Sequence, residues 1–116
     1  MKVMIVDDET DIRESLREVF EDEGYEVATA ANGAEALEQL AHDDPPCAMV
    51  LDLIMPEVGG VEVYTKMQGD PRLSRIPVII STSDPSRAPS GVLIMKKPID
   101  LNRLIETCLL YTSRCV

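Results

Sequence analysis

Short unbroken apolar runs recur along this chain, and between them apolar residues return at helical spacing. Lys2–Val6 contains the run VMIV and predicts a buried strand. In Asp11–Glu23, Ile12, Leu16, Val19 and Phe20 share one helical face, and Gly24 supplies a stop. Glu26–Ala30 predicts a second strand. Gly33–Ala41 predicts a helix with Ala36, Leu37 and Leu40 inward and Asn32 as N-cap. After an Asp43–Pro46 turn, Ala48–Leu51 predicts a third buried strand, ended by Asp52. Met55-Pro56 and Gly59-Gly60 shape the loop that follows, and Val61–Met67 predicts a helix. Pro71–Pro77 reads as a loop, and Val78–Ile80 and Val92–Met95 as two more strands. Asp100 then caps a last helix whose Leu101, Leu104, Ile105 and Cys108 form a core stripe.

Continuous apolar strands alternating with helices imply a parallel sheet covered on both faces. The expected fold is α/β: a doubly wound, five-stranded parallel sheet in the order 2-1-3-4-5, flavodoxin-like. Such sheets bind ligands beyond the carboxyl ends of their strands. Those ends carry Asp7-Asp8, Asp52, Ser81-Thr82-Ser83 and Lys96-Lys97. Three carboxylates, hydroxyls and a lysine are thereby expected on one rim.

Composition narrows the chemistry. The 116 residues fit one domain, 45% apolar and 28% charged. A net charge of −10 argues against direct nucleic-acid binding, which needs a basic patch. No apolar run is long enough for a membrane span, and acids follow the first six residues too soon for a signal peptide. A cytoplasmic protein is expected, with Cys47, Cys108 and Cys115 as free thiols. His42, in an acidic loop far from every motif, is expected to be a surface residue.

Clustered carboxylates stay ionised only beside a cation, and oxygen-only ligands favour Mg²⁺. A carboxylate next to such a metal and a lysine can attack phosphorus and form an aspartyl phosphate. Four ordered motifs, IVDDE, LDLIMPEVGG, PVIISTS and KKPID, make the chain resemble the receiver domain of two-component response regulators from about Lys2 to Thr107. The resemblance implies that Asp52 is phosphorylated and that Asp8, Asp52 and the Ile54 carbonyl ligate Mg²⁺, with Asp7 acting through water. It implies Thr82 as the switch hydroxyl, Lys97 as the phosphate-pairing lysine, and a cis peptide before Pro98. It implies a histidine kinase or phosphotransfer protein as donor, a downstream effector as output, and no enzymatic activity beyond self-phosphorylation and slow autodephosphorylation. Two alternatives stay open: a haloacid-dehalogenase-like Mg²⁺-dependent phosphatase, although its second acid would fall at Ile54, and a pseudo-receiver that only binds a partner.

The chain departs from that family in two places. The nine residues Ser83–Gly91 include Pro85 and Pro89, so the family's fourth helix is expected to be absent or shortened, and the segment mobile. Ile94 stands where the family commonly has a switching aromatic. The tail CLLYTSRCV can be encoded by a sequencing-library transposon end joined to its reverse complement. The receiver is therefore expected over 1–107. Residues 108–116 are expected to be a cloning or assembly scar that completes or trails the last helix, with Cys115 functionless and any effector domain cut away.

Overall fold

The computed structural model describes residues 1–113 and 115. Its elements are β1 (Lys2–Val6), α1 (Thr10–Asp22), β2 (Glu26–Ala30), α2 (Gly33–His42), β3 (Ala48–Asp52), α3 (Gly60–Gln68), β4 (Val78–Thr82), β5 (Leu93–Lys96) and α4 (Leu101–Thr112). The five strands are parallel, in the order β2-β1-β3-β4-β5. β4 and β5 are joined only by a loop with a 3₁₀ turn, Pro85–Arg87. The fourth helix of the doubly wound pattern is missing, as Pro85 and Pro89 predict.

Side-chain alternation sorts the strands between two cores. Met4, Val6, Met49, Leu51 and Ile80 face α2 and α3. Val3, Ile5, Val50, Ile79 and Met95 face α1 and α4 with Phe20 and Leu104. All five residues of β3 are buried, as expected of a central strand covered on both faces. The caps follow their side chains: Asn32 Oδ1 accepts from Glu35 N–H at 2.8 Å, and Asp100 Oδ1 from Arg103 N–H at 3.2 Å.

Glycine is required where the β3–α3 loop folds back. A Cβ on Gly60 would sit on the Asp52 carbonyl oxygen, with Leu53 Cα at 2.8 Å. One on Gly33 would sit on the Val58 carbonyl, which accepts the Gly33 N–H at 3.1 Å. The two close approaches hold α2 and α3 against the loop that starts at Asp52.

Two expectations need correction. The cysteines are not all free: Cys47 and Cys115 form a disulfide, and only Cys108 is a thiol, buried and with its pKa pushed up to about 12 by desolvation. The two partners are 68 residues apart, and α4 brings them together by running to Thr112, whose hydroxyl meets Tyr25 Oη at 2.8 Å. Leu101 lies outside the core at 39% exposure, lining a surface groove with Ile12, Leu16, Pro98 and Ile99. Leu109 and Leu110 are exposed too, and Thr112 continues the buried stripe after Cys108. Among the described residues, no helix is long and apolar enough to cross a membrane.

Candidate functional site

Strand ends build the site. β1 stops at Val6 and delivers Asp7 and Asp8 to the carboxyl rim, and β3 delivers Asp52 as its last residue. Carboxylate oxygens of Asp7, Asp8 and Asp52 all lie within 4.8 Å of one another. Asp7 and Asp52 are buried and Asp8 is exposed, so the cluster opens to solvent on the Asp8 side. These are the residues that the strand-end rule singles out, and with no His or Cys among them the donor set suits a hard cation.

Lys97 enters from the turn after β5. Its Nζ lies 3.2 Å from Asp7 Oδ2 and 3.4 Å from Asp52 Oδ1. Lys96, its neighbour, takes no part in the described ion pairs, and the Lys97–Pro98 peptide is cis. The other Asp7 oxygen accepts from Glu9 N–H at 2.9 Å, which closes the turn into α1. Asp7 is therefore held on both oxygens, while among the described residues Asp52 has only the ammonium as a counter-charge.

The electrostatics follow from this asymmetry. Desolvation and the neighbouring Asp7 charge raise the pKa of Asp52 from 3.8 to about 7, against the opposing pull of Lys97. Burial lowers the Lys97 pKa, but the attraction of Asp52 and Asp7 outweighs it, and the net shift is upward. One ammonium does not balance three clustered acids. A bound divalent cation would, and the residues fit one.

Thr82 closes β4 one residue beyond Ser81, which is in register with Asp52. Its hydroxyl is engaged within its own loop: it accepts from Asp84 N–H at 3.1 Å and lies 3.4 Å from the Asp84 carbonyl oxygen. Ile54, two residues past Asp52, is 49% exposed. No carboxylate stands there to act as a second catalytic acid. His42 ends α2, exposed, at the opposite end of the sheet.

Sequence reasoning missed two participants. Arg13 donates to the Asp7 carbonyl at 2.8 Å from one turn into α1, and its spacing of five after Asp8 was the available signal. Asp84 holds Thr82 through main-chain atoms, which no side-chain pattern reveals. Ser81, one of the strand-end hydroxyls expected at the rim, has the one buried side-chain polar atom without a partner among the described residues, which shows only once the strands are packed.

Comparison with known proteins gives a consistent picture. A family model described as the response regulator receiver domain matches residues 3–108. The chain is 38% identical over 112 residues to the polar-differentiation response regulator DivK of Brucella anthropi, covering 90% of each. It is 37% identical over 83 residues to the response regulator MprA of Mycobacterium tuberculosis, covering 72% of this chain but 35% of MprA. Among solved structures, the signal receiver domain of a signal transduction histidine kinase from Syntrophus aciditrophicus superposes with a TM-score of 0.87 at 28% identity, over 98% of this chain and 91% of that one. The chemotaxis response regulator CheY4 of Vibrio cholerae gives 0.83 at 27%, over 95% and 97%.

Proposed function

The chain belongs to the response regulator receiver family, and from that membership and the rim geometry we propose that it is a phosphoacceptor switch with Asp52 as the phosphorylated residue. The observation that carries the reading is the Asp7–Asp8–Asp52 cluster closed by Lys97, with carboxylate oxygens within 4.8 Å and the ammonium 3.4 Å from Asp52.

An Asp52 carboxylate oxygen attacks the phosphorus of a phosphohistidine on a histidine kinase or phosphotransfer protein. The new P–O bond forms as the P–N bond breaks, and the departing imidazole takes a proton. Lys97 pairs with the phosphoryl oxygens and offsets their charge. Mg²⁺, when bound, would lower the repulsion between the anionic nucleophile and the incoming phosphoryl group. Asp8, Asp52 and the Ile54 carbonyl would hold it, with Asp7 contributing through water. Thr82 donates its hydroxyl to the phosphoryl group and reports its arrival.

The protein turns over no external substrate in this reading. It catalyses its own phosphorylation and slow dephosphorylation, in the cytoplasm, and passes the change to an effector protein or domain. A reducing cytoplasm would open the Cys47–Cys115 bond, but that pair lies at the amino-terminal end of β3, away from the site.

The test is incubation with acetyl phosphate and Mg²⁺, read by intact mass. Wild type should gain one phosphoryl group, and Asp52→Asn none, because the amide keeps the shape but loses the nucleophile. Equal incorporation by both would overturn the assignment.

A further inference from the structure

We propose that the Ser81 hydroxyl is a second hydrogen-bond donor to the Asp52 carboxylate, engaged when Lys97 turns to the phosphoryl group, and that it speeds phosphoryl transfer both onto and off Asp52. The inference rests on the phosphoacceptor reading above and goes beyond it by giving a catalytic role to a side chain which that reading leaves unused.

Ser81 is 1% exposed, and its Oγ has no partner among the described residues. An unpartnered buried hydroxyl costs stability, and the residues before it in β4, Val78, Ile79 and Ile80, are all apolar. The sheet register says what this hydroxyl faces. Ser81 is in register with Asp52 on β3 and with Met95 on β5. Residues in register on parallel strands point to one face, here the α1/α4 side that Val50, Ile79 and Met95 share. Adjacent strands lie about 4.8 Å apart, so a turn about χ1 is enough to bring a serine hydroxyl within reach of the neighbouring carboxylate. Thr82 points to the other face, with Ile80, and takes no part in this contact.

Lys97 explains why the hydroxyl is idle at rest. The Thr82 carbonyl accepts from Lys97 N–H at 2.9 Å, which pins the end of β4 to the turn after β5. β4 lies between that turn and β3, so the Lys97 side chain crosses β4 on its Ser81 face to reach Asp52 at 3.4 Å and Asp7 at 3.2 Å. At rest the ammonium serves Asp52, and among the described residues no backbone amide or hydroxyl donates to that carboxylate. In transfer from acetyl phosphate, an Asp52 oxygen bonds to phosphorus as the bond from phosphorus to the acetate oxygen breaks, and acetate leaves with the electron pair. In hydrolysis, water forms the new P–O bond and gives up a proton to solvent. The bond from phosphorus to Asp52 breaks, and its electron pair returns to the carboxylate. In both transition states the phosphoryl oxygens draw the ammonium, while the buried Asp52 still carries part of its negative charge. Rotation of Ser81 about χ1 then supplies a hydrogen bond to the Asp52 oxygen that the ammonium has left, with no movement of backbone. This bond is absent at rest and weaker on the uncharged carbonyl oxygen of the aspartyl phosphate, so it lowers the barrier from both sides.

Wild type, Ser81→Ala and Ser81→Thr are compared on the whole chain with Mg²⁺ present. Intact mass follows labelling by acetyl phosphate, and then loss of the label once acetyl phosphate is removed. Ser81→Ala should lose about threefold to tenfold in both rates, the worth of roughly one net hydrogen bond. Its urea unfolding should come no earlier than that of wild type, because it gives up no bond of the resting protein. Ser81→Thr keeps the hydroxyl on a side chain suited to a strand and should retain wild-type rates in both directions. Wild-type rates in Ser81→Ala would overturn the donor role, and so would a Ser81→Thr protein as slow as Ser81→Ala. Earlier unfolding of Ser81→Ala would overturn it too, since the hydroxyl would then already be bonded at rest. Absence of label on wild type, or equal label on Asp52→Asn, would overturn the phosphoacceptor reading and this role with it.

Discussion

Replacing Asp52 by Asn should make the metal-free protein more stable at pH 8 and leave it nearly unchanged at pH 4. Asp52 is buried beside Asp7, and its pKa rises from 3.8 to about 7. A raised carboxyl pKa means that the fold binds the proton more tightly than the unfolded chain does. The associated stability is fully present below pH 4 and is lost as pH climbs through about 7. A rise of that size corresponds to at most about 4 kcal/mol. Asp52 stands at an open rim where water screens charge, so about 2 kcal/mol is the working value. For a chain of this length that is roughly 8 °C in Tm. Asn resembles the protonated carboxyl in shape and charge and so removes the penalty at high pH. The assay is thermal or urea unfolding of both proteins at pH 4 and pH 8, with a chelator to exclude divalent ions. A variant no more stable than wild type at pH 8, or a gap of equal size at pH 4, would refute the argument that desolvation and Asp7 dominate over Lys97. Saturating Mg²⁺ should narrow or reverse the gap, because the metal stabilises only the intact acid cluster.

Three further outcomes follow from the same geometry. Millimolar Mg²⁺ should raise the Tm of wild type but barely that of Asp8→Asn, measured by differential scanning fluorimetry; an undiminished response would remove Asp8 from the metal site. Lys97→Met takes away the only cation among the described residues that pairs with both Asp7 and Asp52, so the Asp52 pKa should climb beyond about 7. Carboxyl ¹³C titration reads this directly, and an unchanged midpoint would show that the ion pair is electrostatically idle. Gly60→Ala should cost about 2 kcal/mol or more and slow acetyl-phosphate labelling, because the added methyl meets the Asp52 carbonyl and Leu53 Cα rather than a yielding side chain. Wild-type stability with wild-type labelling would contradict the close packing.

Local patterns were enough for much of this protein. The apolar runs at Lys2–Val6, Ala48–Leu51 and Val78–Ile80 define strands buried on both faces, and a chain of such strands interleaved with helices has few ways to pack. Once the sheet order follows, Asp7, Asp8, Asp52, Thr82 and Lys97 must come to one rim, because every parallel strand ends there. Pro85 and Pro89 likewise forbid a helix through local sterics alone. Relations between distant or main-chain atoms lay beyond those patterns. The Cys47–Cys115 pairing depends on where α4 ends, and the exposure of Leu101 at a groove beside α1 depends on how the first turn of α4 is placed. Only the packed structure makes Asp52 harder to ionise while Asp7 is held by Glu9 and Lys97, since desolvation depends on what surrounds a carboxylate. Only it gives the Thr82 hydroxyl to Asp84, because that bond joins a side chain to backbone whose direction is set by the pinned end of β4. Residue type and order determined which groups meet at the rim; packing decided which of them are free to react and which are already held.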